Sequence, residues 1–190
     1  MTTQPRPARL TADEFLAWAS EHAEGRYELV EGEIVAMAAE RLGHARAKLA
    51  AVNALAAALA ERGLPCEAIV DGMAVRISDR TVFEPDAFVR CGPPAPDNAI
   101  DVSDAVVVVE ITSPSSRSYD TGAKLAGYFS LPSVMHYLVV DIGARVLAHH
   151  RREAVGEIVT RILRNGPLTL DPPGMTVDVE RFFPPAERTA

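Results

Sequence analysis

The chain has 190 residues, 48% hydrophobic and 24% charged, which is ordinary for a soluble globular protein and long enough for a substantial core. Its formal net charge of −7 argues against a nucleic-acid binder on bulk electrostatics, unless divalent cations or a local basic patch offset it. Cys66 and Cys91 show neither CxxC spacing nor a disulfide framework and predict reduced thiols in a reducing cytosol. Residues 1–10 hold no apolar run that could serve as a signal peptide, and no later run has transmembrane length, which predicts a cytoplasmic protein without a membrane partner.

Thr11-Ala12-Asp13-Glu14 matches a capping box and predicts a short helix carrying Phe15, Leu16 and Trp18. Tyr27 to Val30 and Ile34 to Met37 flank Glu31-Gly32, a hairpin turn signal. An Ala-rich helix follows from His44 to about Glu61, ended by Gly63 and Pro65, with Leu49, Val52, Leu55, Ala56 and Leu59 expected on its core face. Strands are expected at Cys66 to Val70, Met73 to Ile77 and Asp86 to Arg90, and the Pro-rich run from Gly92 to Asp97 is a loop. Val106 to Val109 runs into Glu110, and four successive valines predict a strand covered on both faces. A Ser/Pro turn over Ser113 to Ser116 ends that strand. Ser118 then caps a helix from Tyr119 to Ser130. Val134 to Val140, Val146 to His150 and Ile158 to Leu163 read as further strands, the last two antiparallel, and Leu168 to Leu170 and Phe182-Phe183 close the chain. With no repeat or linker, this predicts a single α/β domain over 1–190: a central mixed sheet flanked by helices, with additional antiparallel strands.

The chemistry concentrates in a few residues. A carboxylate at the end of a buried strand costs on the order of several kcal/mol unless it is paired, protonated or bound to a metal, so Glu110 needs a partner. Asp86 begins the preceding strand; if the two strands are neighbours, the acids meet at one sheet edge, where a hard divalent cation relieves their repulsion. A turn cap at Asp86 and a structural ion pair at Glu110 are the ordinary alternatives. Asp120, Lys124 and Tyr128 share a helix face; Lys124 is either half of an exposed pair with Asp120 or an ammonium beside a phosphate. Glu28 points to one side of its strand and Tyr27 and Leu29 to the other, and His44 lies in the first turn of the long helix. His149-His150 and Arg151-Arg152 read as a solvated strand end. No nucleophile elbow, P-loop, dinucleotide fingerprint or zinc spacing is present, which removes those chemistries.

The ordered set Tyr27 to Glu33, His44, Glu84-Pro85-Asp86, Val109 to Ser116, Asp120, Lys124, Tyr128 and Val134 to Asp141 resembles the Uma2 family, restriction-endonuclease-like proteins of the PD-(D/E)XK nuclease superfamily. The resemblance spans about residues 10–183. It implies that Asp86 and Glu110 hold Mg²⁺ (or Mn²⁺), that Glu28 is an N-terminal acid of the site, and that His44, Asp120 and Tyr128 are auxiliary. Thr112 stands where the superfamily motif has lysine, and the resemblance makes Lys124 the replacement. The implied function is Mg²⁺-dependent endonuclease cleavage of phosphodiesters in nucleic acid, in DNA first of all, by a homodimer. A non-catalytic nucleic-acid- or protein-binding descendant of the nuclease fold is the alternative, and a metal-dependent phosphatase acting on small phosphoesters is a weaker third.

Overall fold

The computed structural model describes residues 9–112 and 121–184. The Ser113 to Ser116 turn, the Ser118 cap and Asp120 lie outside them. In chain order the elements are α1 (Ala12–Glu21), β1 (Tyr27–Val30), β2 (Glu33–Ala36), α2 (Leu42–Arg62), β3 (Glu67–Val70), β4 (Ala74–Ser78), β5 (Thr81–Phe83), β6 (Ala87–Arg90), β7 (Asp101–Val102), β8 (Ala105–Thr112), α3 (Thr121–Ser130), β9 (His136–Asp141), β10 (Val146–Arg152), β11 (Ile158–Leu163), β12 (Pro167–Leu170) and β13 (Met175–Asp178).

Six strands form the main sheet in the order β11-β10-β9-β8-β6-β3; β8 and β9 are parallel and the other neighbours antiparallel. A second sheet runs β2-β1-β5-β4-β7, and β12-β13 is a separate hairpin. The valine strand is central and covered on both faces, as its composition predicts. Val107, Val109 and Ile111 pack with the Ala51, Leu55 and Leu59 side of α2 and with the β12-β13 hairpin. Val108 packs on the opposite face with Phe83, Phe88 and Tyr128. A third, smaller cluster joins Phe15 and Leu16 of α1 to Leu29 and Val82.

Local chemistry accounts for the elements that frame the site. Thr11 and Glu14 make the reciprocal capping box. Glu31 and Gly32 both adopt positive φ, 52° and 84°, the backbone of a type I′ turn that sets the β1-β2 register Val30↔Glu33. Helix α2 ends at Gly63, whose φ of 60° is left-handed.

Three expectations need correction. The buried stripe of α2 is Ala47, Lys48, Ala51, Ala54, Leu55, Ala58 and Leu59, so Leu55 and Leu59 face the core as expected; Leu49 is 59% exposed and Ala56 also faces outward, because both lie off the stripe, which is made mostly of alanines. Cys66 and Cys91 are joined as a disulfide, since Cys66 precedes Glu67 and Cys91 follows Arg90, which sets them opposite each other one step beyond the antiparallel pair Glu67↔Arg90 of β3 and β6. The strand end at 149–152 is not a solvated basic cluster: His149 is buried against His136, and Arg152 donates to the carbonyls of Phe129, Leu131 and Val134.

Candidate active site

Register places the two acids. Ala87 of β6 pairs with Val109 of β8, so Asp86 and Glu110 stand one residue further on, opposite each other at the same end of the main sheet. Side chains on β8 alternate, which turns Glu110 to the face covered by α3 and Tyr128. Helix α3 approaches closely there because Gly127 has no side chain: a Cβ at that position would lie 2.5 Å from Phe83 Cε2.

Around Glu110, Lys124 Nζ lies 3.0 Å from its Oε1 and 3.0 Å from Glu28 Oε1. The Tyr128 hydroxyl donates to the same Glu110 oxygen at 2.7 Å, and the Glu84 amide donates to Glu28 Oε1 at 2.8 Å. Glu28, Glu110, Lys124 and Tyr128 are all buried. Lys124 is therefore an interior cation paired with two buried acids; Asp120, its i,i+4 neighbour, lies outside the described residues. Burial pushes the Glu110 pKa up to about 7; Lys124 pulls against the rise, while the charges of Asp86 and Glu28 add to it. Burial, then the charges of Glu110 and Glu28, push the Tyr128 phenol well above its usual value, so it stays a donor.

Asp86 is held differently. Its Oδ2 accepts the Ile111 amide at 2.6 Å, and its Oδ1 lies 3.1 Å from His44 Nε2 and 3.0 Å from Lys48 Nζ. Burial would raise the Asp86 pKa, but His44, Lys48 and the Ile111 N–H outweigh it and hold the carboxyl below its usual value. The two acids thus differ in protonation: Asp86 is a settled carboxylate and Glu110 a carboxyl poised near neutrality.

Sequence reasoning missed the charges behind this pair. Lys48 also contacts Asp71 at 2.7 Å and Glu40 at 3.0 Å, and Arg26 links Asp71 at 3.0 Å to Glu84 at 2.6 Å. One signal was available for Lys48: it follows His44 by four residues and falls in phase with the buried Ala51, Leu55 and Ala58. Thr112, in the motif's lysine position, is half-buried at the end of β8. Of the expected set, the structure brings together Glu28, His44, Asp86, Glu110, Lys124 and Tyr128.

Among the described residues no three His, Cys, Asp or Glu side chains gather as a ligand set for a metal ion. The oxygen donors suited to a hard cation are the carboxylates of Asp86 and Glu110, and no hydrogen bond to Glu110 Oε2 is present among the described residues. No helix among them is long and apolar enough to cross a membrane.

A mixed sheet flanked by helices, with opposed acids at one end, defines a restriction-endonuclease-like fold. One solved structure with this fold is the crystal structure of "a putative nuclease belonging to DUF820" from Anabaena variabilis ATCC 29413, which superposes with a TM-score of 0.71 over 92% of this chain and 97% of that one, at 16% identity. The profile of the Uma2 family, described as "Putative restriction endonuclease", matches residues 12–184, and the chain belongs to that family. Two relatives come from Synechocystis sp. (strain ATCC 27184 / PCC 6803 / Kazusa). The uncharacterized protein slr1290 is 24% identical over 177 residues, 92% of each chain. The uncharacterized protein sll1609 is 27% identical over 146 residues, 75% of this chain and 81% of that one.

Proposed function

We propose that this chain is a Mg²⁺- or Mn²⁺-dependent endonuclease that hydrolyses phosphodiester bonds of DNA in the cytoplasm, acting as a homodimer. The observation that carries this reading is the buried Lys124 ammonium, 3.0 Å from Glu110 and delivered from α3 to the acid whose strand lacks the motif's lysine. An ammonium and two acids at one sheet end is the set that phosphodiester hydrolysis uses.

The donor chemistry fits the metal. Mg²⁺ takes one or two carboxylates and completes its shell with water and substrate phosphate oxygens, so a third protein ligand is not required. Asp86 and Glu110 would hold it; when bound it supplies charge for the phosphoryl oxygens and lowers the pKa of bound water. The other roles belong to side chains. His44, Lys48 and the Ile111 N–H fix the orientation of Asp86. Tyr128 fixes Glu110 through Oε1. Glu28, anchored on the Glu84 amide, holds Lys124 where its ammonium can stabilise the negative charge that develops on the phosphate or orient the attacking water.

Supercoiled, linear and single-stranded DNA and RNA should be incubated with wild type and with the Asp86→Ala, Glu110→Ala and Lys124→Ala variants, each with Mg²⁺ or Mn²⁺. Cleavage of DNA by wild type alone is expected; wild type inert on every DNA form with both metals sinks the proposal. One observation favours a second reading, a non-catalytic nucleic-acid- or protein-binding descendant: Lys48 and Lys124 already neutralise the acid cluster without a metal. Calorimetry separates the two, since absence of Mg²⁺ and Mn²⁺ binding selects the binding module.

A further inference from the structure

The two edges of the main sheet are treated differently. At one, β3 has four residues, lies against α2, begins with an exposed Glu67 ion-paired to Arg90, and is tied to β6 by the disulfide just before it. At the other, β11 has six residues in register with β10 from Ile158↔Arg152 to Leu163↔Leu147. Among the described residues its outer side meets no other strand, and its backbone forms no hydrogen bond beyond that ladder. Every residue from Ile158 to Ile162 is exposed. Ile158 is 39%, Val159 41% and Ile162 64% exposed, so apolar surface shows on both faces of the strand. Within β11 the only charge is Arg161 and there is no proline, so the devices that ordinarily blunt a sheet edge are nearly missing.

We propose that β11 is the homodimer interface, pairing antiparallel with β11 of a second copy of this chain so that two six-stranded sheets become continuous. The proposal rests on the dimer named above and not on the chemistry of the site. Antiparallel geometry narrows the register. Directly opposed residues must both turn their N–H and C=O groups toward the partner or both away, so in identical strands the two-fold axis passes through a residue and never between two. An axis at Arg161 sets guanidinium against guanidinium. An axis at Val159 sets Ile162 against Gly156 and wastes the most exposed apolar side chain.

An axis at Thr160 avoids both faults. It sets Ile158 against the partner's Ile162, Thr160 against the partner's Thr160, and Ile162 against the partner's Ile158, one unbroken row on a single face. On the other face Val159 meets the aliphatic stem of the partner's Arg161, and Glu157 lies diagonal to the same Arg161, within reach of its charge. Charge and shape are therefore self-complementary in this register, as an isologous interface demands.

Light scattering and sedimentation equilibrium across a concentration series test this on the full chain. A reversible dimer is expected. Ile162→Lys should weaken it at least tenfold without changing the circular dichroism or the melting temperature, because Ile162 packs against little in the monomer. Thr160→Cys should form an interchain disulfide on mild oxidation, while Leu42→Cys, exposed and remote, should not. If Ile162→Lys loses structure, the Thr160→Cys result decides. A wild type that stays monomeric at every concentration overturns both the dimer and this edge. A dimer indifferent to Ile162→Lys and giving no Thr160→Cys cross-link keeps the dimer and overturns the edge. Neither result bears on cleavage, which is measured separately.

Discussion

Lys124 Nζ and Glu110 Oε1 stand 3.0 Å apart in the interior, and that oxygen also takes the Tyr128 hydroxyl. The ammonium is shared with Glu28, so one cation serves two buried carboxylates. Lys124→Met leaves both carboxylates without it. Removing one member of a buried pair costs about 3–5 kcal/mol, and the variant should lose that much in urea unfolding along with cleavage. Lys124→Met combined with Glu110→Gln should recover part of the stability and none of the activity. A single variant within about 0.5 kcal/mol of wild type contradicts the buried pairing.

Glu110 makes the site less stable as pH rises. Its pKa is about 7 in the folded chain against an unfolded value of about 4.3, so between those values the folded state holds the extra proton. Stability contributed by the neutral acid is complete below about pH 4.3 and is lost as pH rises through 7, by up to about 4 kcal/mol. Glu110→Gln keeps an acceptor for Tyr128 and cannot ionise. It should match wild type in thermal stability at pH 5 and exceed it at pH 8; a gain equal at both pH values would remove burial as the cause.

Lys48 links α2 to Asp86, and its own pKa records that bond: burial lowers it, but the Asp71 and Asp86 contacts outweigh burial and hold it above the usual lysine value. Lys48→Met leaves Asp86 to His44 and the Ile111 amide. The Asp86 carboxyl should then titrate at higher pH by NMR, and cleavage should fall at least tenfold with Lys48→Arg retaining more. An unmoved Asp86 titration would make Lys48 a bystander.

The Gly127 position tests how closely α3 must lie. Its missing Cβ would meet Phe83 Cε2 at 2.5 Å, so Gly127→Ala should cost about 1–3 kcal/mol through overpacking, despite the better helix propensity of alanine. Phe83→Leu in the same chain should restore part of that loss. Equal or higher stability for Gly127→Ala alone would show that Phe83 yields freely.

Local rules made much of this legible. The capping box, the Glu31-Gly32 turn and the valine strand each follow from a few adjacent residues, and the meeting of Asp86 with Glu110 needed only the added fact that β6 and β8 are neighbours. Other parts depended on contacts distant in sequence. Lys48, Arg26 and Asp71 look like ordinary solvated charges until α2, β1 and the end of β3 converge. The disulfide required the register of β3 on β6, which two isolated cysteines cannot reveal. Leu49 misled because a helix lying flat on a sheet buries its alanines, and the leucine off that stripe faces water.

His136 and His149 are two buried histidines that oppose the fold in acid. Both are buried, with His136 Nδ1 2.9 Å from His149 Nε2, while His136 Nε2 and His149 Nδ1 have no hydrogen-bond partner among the described residues. Burial depresses the pKa of His136 to about 4 and, with help from the charge of His136 and nearby arginines, that of His149 to about 3. An unfolded histidine titrates near 6.5, so below that value the unfolded chain binds more protons and stability falls with falling pH. At pH 4 the loss is about 3 kcal/mol for one histidine of the pair. Above pH 7 the pair is neutral in both states and contributes no slope. The double variant His136→Leu, His149→Leu removes the titrating groups at similar volume, together with their unpaired nitrogens. Its acid-unfolding midpoint, followed by circular dichroism, should move at least half a pH unit lower than that of wild type. An unchanged midpoint would assign acid unfolding to the carboxylates that Lys48 and Lys124 hold.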